Sequence, residues 1–144
     1  MNNNLDILLV EDNPDDASLA LRVLKKVVPR ENIVWVNDGA EALDFMFAKR
    51  AYADRDPSIQ PRLILLDLKL PKRMGVEVLE EIKANASTCE IPVVVLTSSK
   101  QEKDLAKCYK LGANSYVVKP IDFDQFTEAA KNISTYWLMV NQVP

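Results

Sequence analysis

The stretch Leu63-Ile64-Leu65-Leu66-Asp67-Leu68-Lys69-Leu70-Pro71 decides the fold. Its first part is an apolar run, Leu63–Leu68, interrupted by a single acid, and a proline closes it. A short Leu/Ile/Val run without polar alternation is what a strand buried on both faces requires, and such strands belong to parallel sheets. Four more strand-like runs share the chain: Ile7–Val10, Ile33–Val36, Val93–Leu96 and Tyr116–Val118.

Segments of helical period alternate with these runs. Apolar residues recur at Ala17, Leu21, Leu24 and Val28 after Asp15, and at Val78, Leu79 and Ile82 after Gly75. They recur at Leu105, Cys108 and Tyr109 after Gln101, and at Phe126, Ala130, Ile133 and Trp137 after Asp122, up to an expected end near Val140. Gly39–Arg50 reads as a helix with Ala42, Phe45 and Met46 inward. This spacing places each set on one helix face. The order βαβαβαβαβα predicts an α/β domain, a parallel sheet with helices on both sides. The one long connector, Ala51–Arg62, carries two prolines and several charges and reads as a surface loop.

A chain of 144 residues, 48% hydrophobic, fits one folded domain with a core over about residues 5–140, and argues against disorder. A formal net charge of -3 argues against nucleic acid as a direct partner. No apolar run reaches membrane-spanning length, and Met1–Asn4 lacks the blocks of a signal peptide, so a cytoplasmic location is expected. Cys89 and Cys108 lack metal-ligand spacing and are expected to be free thiols, Cys108 on a buried helix face. The chain has no histidine. That excludes Ser-His-Asp and Cys-His chemistry, histidine metal sites and any phosphohistidine.

In open α/β sheets, ligands bind beyond the carboxyl ends of the strands. Four of the five runs deliver a polar group there: Glu11-Asp12, Asp67, Thr97 and Lys119-Pro120. The other, before Asp38-Gly39, reads as a turn into a helix. If Glu11, Asp12 and Asp67 meet within about 4 Å, each pair repels by roughly 4 kcal/mol at an effective dielectric near 20. A hard divalent cation with oxygen ligands, Mg²⁺ above all, relieves this, and zinc lacks its ligands. Asp67 can then act as a nucleophile toward phosphorus, with the Lys119 ammonium and Thr97 hydroxyl facing phosphoryl oxygens. Each residue also has a plain reading: strand-end acids, an Asx turn at Asp67, a helix cap at Thr97, a surface or structural lysine at Lys119.

The motifs Leu8–Asp12, Leu65–Pro71 followed by Gly75, Pro92–Ser99, Gly112-Ala113 and Tyr116–Pro120 resemble, in order, those of the receiver domains of two-component response regulators. The resemblance covers nearly the whole chain. It implies a flavodoxin-like (βα)5 fold, a doubly wound parallel sheet of strand order 2-1-3-4-5. It also implies phosphotransfer from a histidine kinase to Asp67, catalysed by the receiver itself rather than by an enzyme acting on a separate substrate. Mg²⁺ would be held by the Asp12 and Asp67 carboxylates and the Lys69 backbone carbonyl, with Glu11 acting through water. Thr97 and Tyr116 would form a switch pair that changes the surface of the fourth helix, fifth strand and fifth helix, although Tyr116 also reads as an ordinary half-buried sheet aromatic. The Lys119–Pro120 bond would be cis.

Within that family, Asp67–Lys72, Glu77–Lys83, Ser134–Leu138 and the long connector are similar to small regulators paired with bacterial phytochromes. There the receiver is the whole protein, and C-terminal aromatics help form a dimer. No effector domain is expected after Val140, so output would run by contact, by onward transfer or through a homodimer at Tyr136–Val140; the other reading of that segment is a helix end docked on the sheet. Lys69 and Ser99 occupy positions that tune acyl-phosphate hydrolysis, which suggests a phosphorylated state lasting many minutes. Three rivals remain. A degenerate receiver would serve as a binding module without phosphorylation. An aspartyl phosphatase would need a second acid where Lys69 stands. A flavin carrier would need a phosphate loop in place of the acids of Glu11–Asp16.

Overall fold

A computed structural model describes residues 5–143, so the Met1–Asn4 segment read for a leader lies outside the described residues. Five strands, β1 (Ile7–Val10), β2 (Ile33–Val36), β3 (Leu63–Leu66), β4 (Val93–Thr97) and β5 (Ser115–Val118), form one sheet in the order β2-β1-β3-β4-β5. Every pairing is parallel, with Ile7 opposite both Ile33 and Leu63 and with Val94 opposite Ser115. The expected fold class and strand order hold.

Alternation along the strands builds two cores. Leu8, Val10, Ile64, Leu66, Val93 and Val95 face the helices α2 (Gly39–Met46), α3 (Gly75–Ala84) and α4 (Glu102–Lys110). Ile7, Leu9, Leu63, Leu65, Val94 and Leu96 face α1 (Pro14–Leu24) and α5 (Phe123–Thr135). Every residue of β1, β3 and β4 is buried, the pattern that makes their sequences continuous apolar runs. Three helix starts carry side-chain caps. Asn13 accepts from the Asp15 and Asp16 N–H groups ahead of Pro14, Asp38 accepts from Glu41 N–H, and Asp122 from Gln125 N–H.

Two glycines set the loop that follows Asp67. A Cβ on Gly75 would run into the Asp67 carbonyl and the Leu68 backbone, and one on Gly39 into the Arg73 carbonyl. Gly39 N–H also donates to Pro71 O at 3.3 Å. The starts of α2 and α3 therefore grip the 67–74 loop from two sides.

Three expectations need correction. The second helix ends at Met46 rather than Arg50, because Ala48 and Arg50 turn left-handed (φ 53° and 50°). The connector lies at the surface as expected, most of its residues exposed, but one side chain anchors it. Arg55 donates from Nε to Phe45 O (2.9 Å), which also accepts from Ala48 N–H (3.4 Å) at the end of α2, and its guanidinium lies 4.0 Å over the Phe45 ring. In α4 only Cys108 is buried; Leu105 and Tyr109 stay 39% and 50% exposed, since a nine-residue helix near a sheet edge covers little area. Among the described residues no peptide bond is cis, so Lys119–Pro120 is trans. The two forms of an X–Pro bond differ by only about 0.5–1 kcal/mol, too little for local sequence to choose between them.

The last helix changes character at its end. α5 stops at Thr135 and a π-type turn, Tyr136–Val140, follows. Leu138 is buried, while Tyr136, Met139 and Val140 are exposed. Arg62 ties this end to the sheet, donating to Leu138 O (2.6 Å) and to Asp6 Oδ1 (2.9 Å). Cys89 and Cys108 are free thiols, and burial pushes the Cys108 thiol up to about 11. No helix among the described residues is long and apolar enough to cross a membrane.

Candidate functional site

The carboxyl ends of β1, β3, β4 and β5 converge. Glu11, Asp12 and Asp67 each offer a carboxylate oxygen within 4.8 Å of the others. Glu11 and Asp67 are buried (4% and 7% exposed) and Asp12 is exposed, so the cluster opens to solvent on the Asp12 side. Asp67 sits one residue past β3, where Leu68 N–H donates to Oδ1 at 2.7 Å and Lys69 N–H at 3.4 Å. Those bonds fix the carboxylate's orientation and leave Oδ2 facing Lys119.

Lys119 follows β5, whose register is held there by Lys119 N–H donating to Thr97 O (2.7 Å). Its Nζ lies 2.6 Å from Glu11 Oε1, 2.9 Å from Asp16 Oδ2 and 3.0 Å from Asp67 Oδ2. Burial opposes the ammonium charge, but the hydrogen bonds to Glu11 and Asp16 and the charge of Asp67 outweigh it, and the lysine pKa is raised. Glu11 is pushed up to about 7, first by burial and then by the Asp67 charge, against the lowering effect of Lys119 and the Asn13 N–H. One ammonium therefore does not neutralise the cluster. The missing positive charge, and a donor set made only of oxygens, fit a hard divalent cation.

Thr97 ends β4 fully buried, and its Oγ1 accepts from Ser99 N–H (3.3 Å). The Ser99 hydroxyl donates to Asp104 Oδ2 (2.5 Å) and so secures the start of α4. Tyr116, half-buried on β5, donates its hydroxyl to Ser99 O at 3.0 Å. Thr97, Ser99, Tyr116 and α4 are thus joined in one set of contacts. The Lys69 side chain is exposed beside Asp67.

Two contributors escaped the sequence reading. Asp16 binds Lys119 from the first turn of α1. Trp35, on β2, donates from Nε1 to the Glu11 carbonyl at 2.8 Å. Asp16 had a signal, as a second acid just past Glu11-Asp12 at the same sheet edge. Trp35 had none, because β2 ends in no reactive group.

A family model described as "Response regulator receiver domain" matches residues 7–131. The chain belongs to that family. Receivers of known structure share its shape. The crystal structure of the phosphorylated cyanobacterial phytochrome response regulator RcpA is 38% identical, with a TM-score of 0.90, over 98% of this chain and 99% of that one. The Mn²⁺-bound form of response regulator Rcp1 is also 38% identical, with a TM-score of 0.89, over 97% and 99%. Among curated relatives, the receiver is 41% identical to a probable methanogenesis regulatory protein, FilR2 of Methanothrix harundinacea, over 96% of this chain and 86% of that protein. The finer resemblance to regulators of phytochromes holds with the family.

Proposed function

We propose that this receiver is a phosphorylation switch that takes a phosphoryl group from a histidine kinase onto Asp67. The observation that carries the reading is the meeting of Glu11, Asp12 and Asp67 beneath the Lys119 ammonium, at the carboxyl edge of the sheet. The Asp12 and Asp67 carboxylates and the Lys69 backbone carbonyl would hold Mg²⁺, with Glu11 reaching it through water. When bound, Mg²⁺ supplies positive charge to a transferring phosphoryl group. An Mn²⁺-bound relative and a phosphorylated one support both halves of this reading.

The chain's own groups do the rest. Asp67 presents a carboxylate already oriented by the Leu68 N–H. Lys119 offers N–H donors to phosphoryl oxygens without giving up a proton, as its raised pKa favours. Thr97 then turns its hydroxyl from Ser99 N–H toward the phosphate. A phosphoryl group carries roughly -1.5 to -2 charges, enough to draw such a donor. The move frees the Ser99–Tyr116 contact, and Tyr116 and α4 repack. α4 suits this role, since Cys108 is its only buried residue and weakly anchored elements open most readily.

Tyr136, Met139 and Val140 form an exposed apolar group next to the Tyr136–Trp137 ring contact (5.2 Å between centroids), and a homodimer through this region goes with the reading. We propose that this receiver works in the cytoplasm and that its kinase is of phytochrome type. The test is Mg²⁺-dependent labelling by acetyl phosphate and by a phytochrome kinase. Wild type takes up one phosphoryl group, and both Asp67→Asn and chelation abolish it. Equal labelling of Asp67→Asn would refute the assignment. An unlabelled wild type that binds its kinase unchanged would favour the phosphorylation-independent binding module.

A further inference from the structure

Lys119 has three N–H donors, and all three are engaged by carboxylates: Glu11, Asp16 and Asp67. Two of these acceptors belong to the acidic cluster that fits a cation; Asp16 does not. A cation seated on the cluster competes with Lys119 for the charge of Glu11 and Asp67. The Asp16 contact, on the α1 side of the ammonium, escapes that competition. Asp16 is also firmly placed, because its N–H donates to the Asn13 side chain at 3.1 Å and so fixes it in the first turn of α1.

We propose that Asp16 positions Lys119 during phosphoryl transfer, keeping the ammonium over Asp67 while its other two donors turn to the phosphoryl oxygens. The proposal rests on Asp67 being the acceptor. In the transfer, the bond from phosphorus to the donor's leaving atom (an imidazole nitrogen of the kinase, or the acetate oxygen of acetyl phosphate) breaks as the bond to an Asp67 oxygen forms. The leaving group departs with the electron pair, and Lys119 keeps its proton. Without Asp16, the long lysine side chain must be ordered at the moment of transfer. An additional acid would be expected to slow capture of an anionic donor by repulsion. The hydrogen bond to a side chain only 10% exposed favours positioning as the larger effect.

The test uses the full chain with Mg²⁺ and acetyl phosphate, comparing wild type, Asp16→Ala and Asp16→Asn. Asp16→Ala is expected to lower the maximal labelling rate about tenfold, from the rotamer freedom returned to the lysine. Half-saturating donor concentration does not rise, and Mg²⁺ affinity, read by tryptophan fluorescence, stays unchanged. Asp16→Asn keeps an oxygen acceptor and restores most of the rate. A wild-type or faster rate in Asp16→Ala overturns the proposal and makes Asp16 a bystander or a competitor. An Asp16→Asn variant as slow as Asp16→Ala overturns it too, since charge rather than position would then matter. Labelling of wild type but not Asp67→Asn shows that the acceptor assignment stands even where Asp16 fails; absence of wild-type labelling sinks both.

Discussion

Replacing Lys119 with methionine keeps most of the side-chain volume and removes the charge that holds the site together. In wild type the ammonium lies 2.6 Å from Glu11 and 3.0 Å from Asp67, both buried, and 2.9 Å from the more exposed Asp16. Deleting one partner of a buried ion pair costs about 3–5 kcal/mol, because the other charge is left uncompensated. The Asp16 contact adds little, since its carboxylate reaches solvent. Lys119→Met is thus expected to lose about 3–5 kcal/mol of unfolding free energy at pH 8 without divalent ions. The loss shrinks at pH 5, where Glu11 is already protonated. It shrinks again with saturating Mg²⁺, which the variant binds more tightly than wild type because a competing cation has gone. Urea titrations at both pH values, with and without Mg²⁺, measure all of this. An equal loss under all four conditions would mean that Lys119 acts through packing, and the electrostatic account of the site would fall.

Three further expectations follow from particular groups. Glu11 has a folded-state pKa raised from 4.5 to about 7, so its stabilising contribution is full below 4.5 and is lost as pH rises through 7. Mg²⁺ must displace that proton, and its affinity, followed by calorimetry, should rise up to about tenfold per pH unit below 7 and level off above it. Gly75→Ala drives a methyl group into the Asp67 and Leu68 backbone. It should cost about 1–3 kcal/mol in thermal or urea unfolding and reduce phosphorylation more than Gly112→Ala does, whose backbone is strained too (φ 105°) but at the amino end of β5, against the Lys83 side chain rather than the Asp67 loop. Iodoacetamide at pH 8 should modify Cys89 well before Cys108, whose thiol is buried and pushed up to about 11; peptide mapping reads the order.

What the sequence made legible follows from burial. β1, β3 and β4 are covered on both faces, so their residues are apolar without interruption and their ends stand out as the first polar groups. Glu11, Asp12, Asp67 and Thr97 were visible for that reason, Lys119 as the charge that closes the half-buried β5, and the structure gathers them at one edge. Contacts made by side-chain reach were not visible. Asp16 approaches Lys119 from a different helix, and Trp35 arrives from the edge strand β2. Arg55 closes α2 from ten residues away, through a loop that its composition marked as exposed. The inward face assigned to α4 failed at Leu105 and Tyr109 because periodicity gives a direction, not the area available to cover it. The trans Lys119–Pro120 bond lay beyond sequence reasoning, its two forms being too close in energy.

Chemical trapping of the modified residue tests the central claim most directly. The protein is phosphorylated with acetyl phosphate and Mg²⁺, reduced with borohydride, which converts an acyl phosphate to an alcohol, and mapped by tandem mass spectrometry. The reduced site should be Asp67 alone, and chelation before labelling should remove it. Reduction at Glu11, Asp12 or Asp16 instead, or stable phosphate on a serine or threonine, would contradict the account.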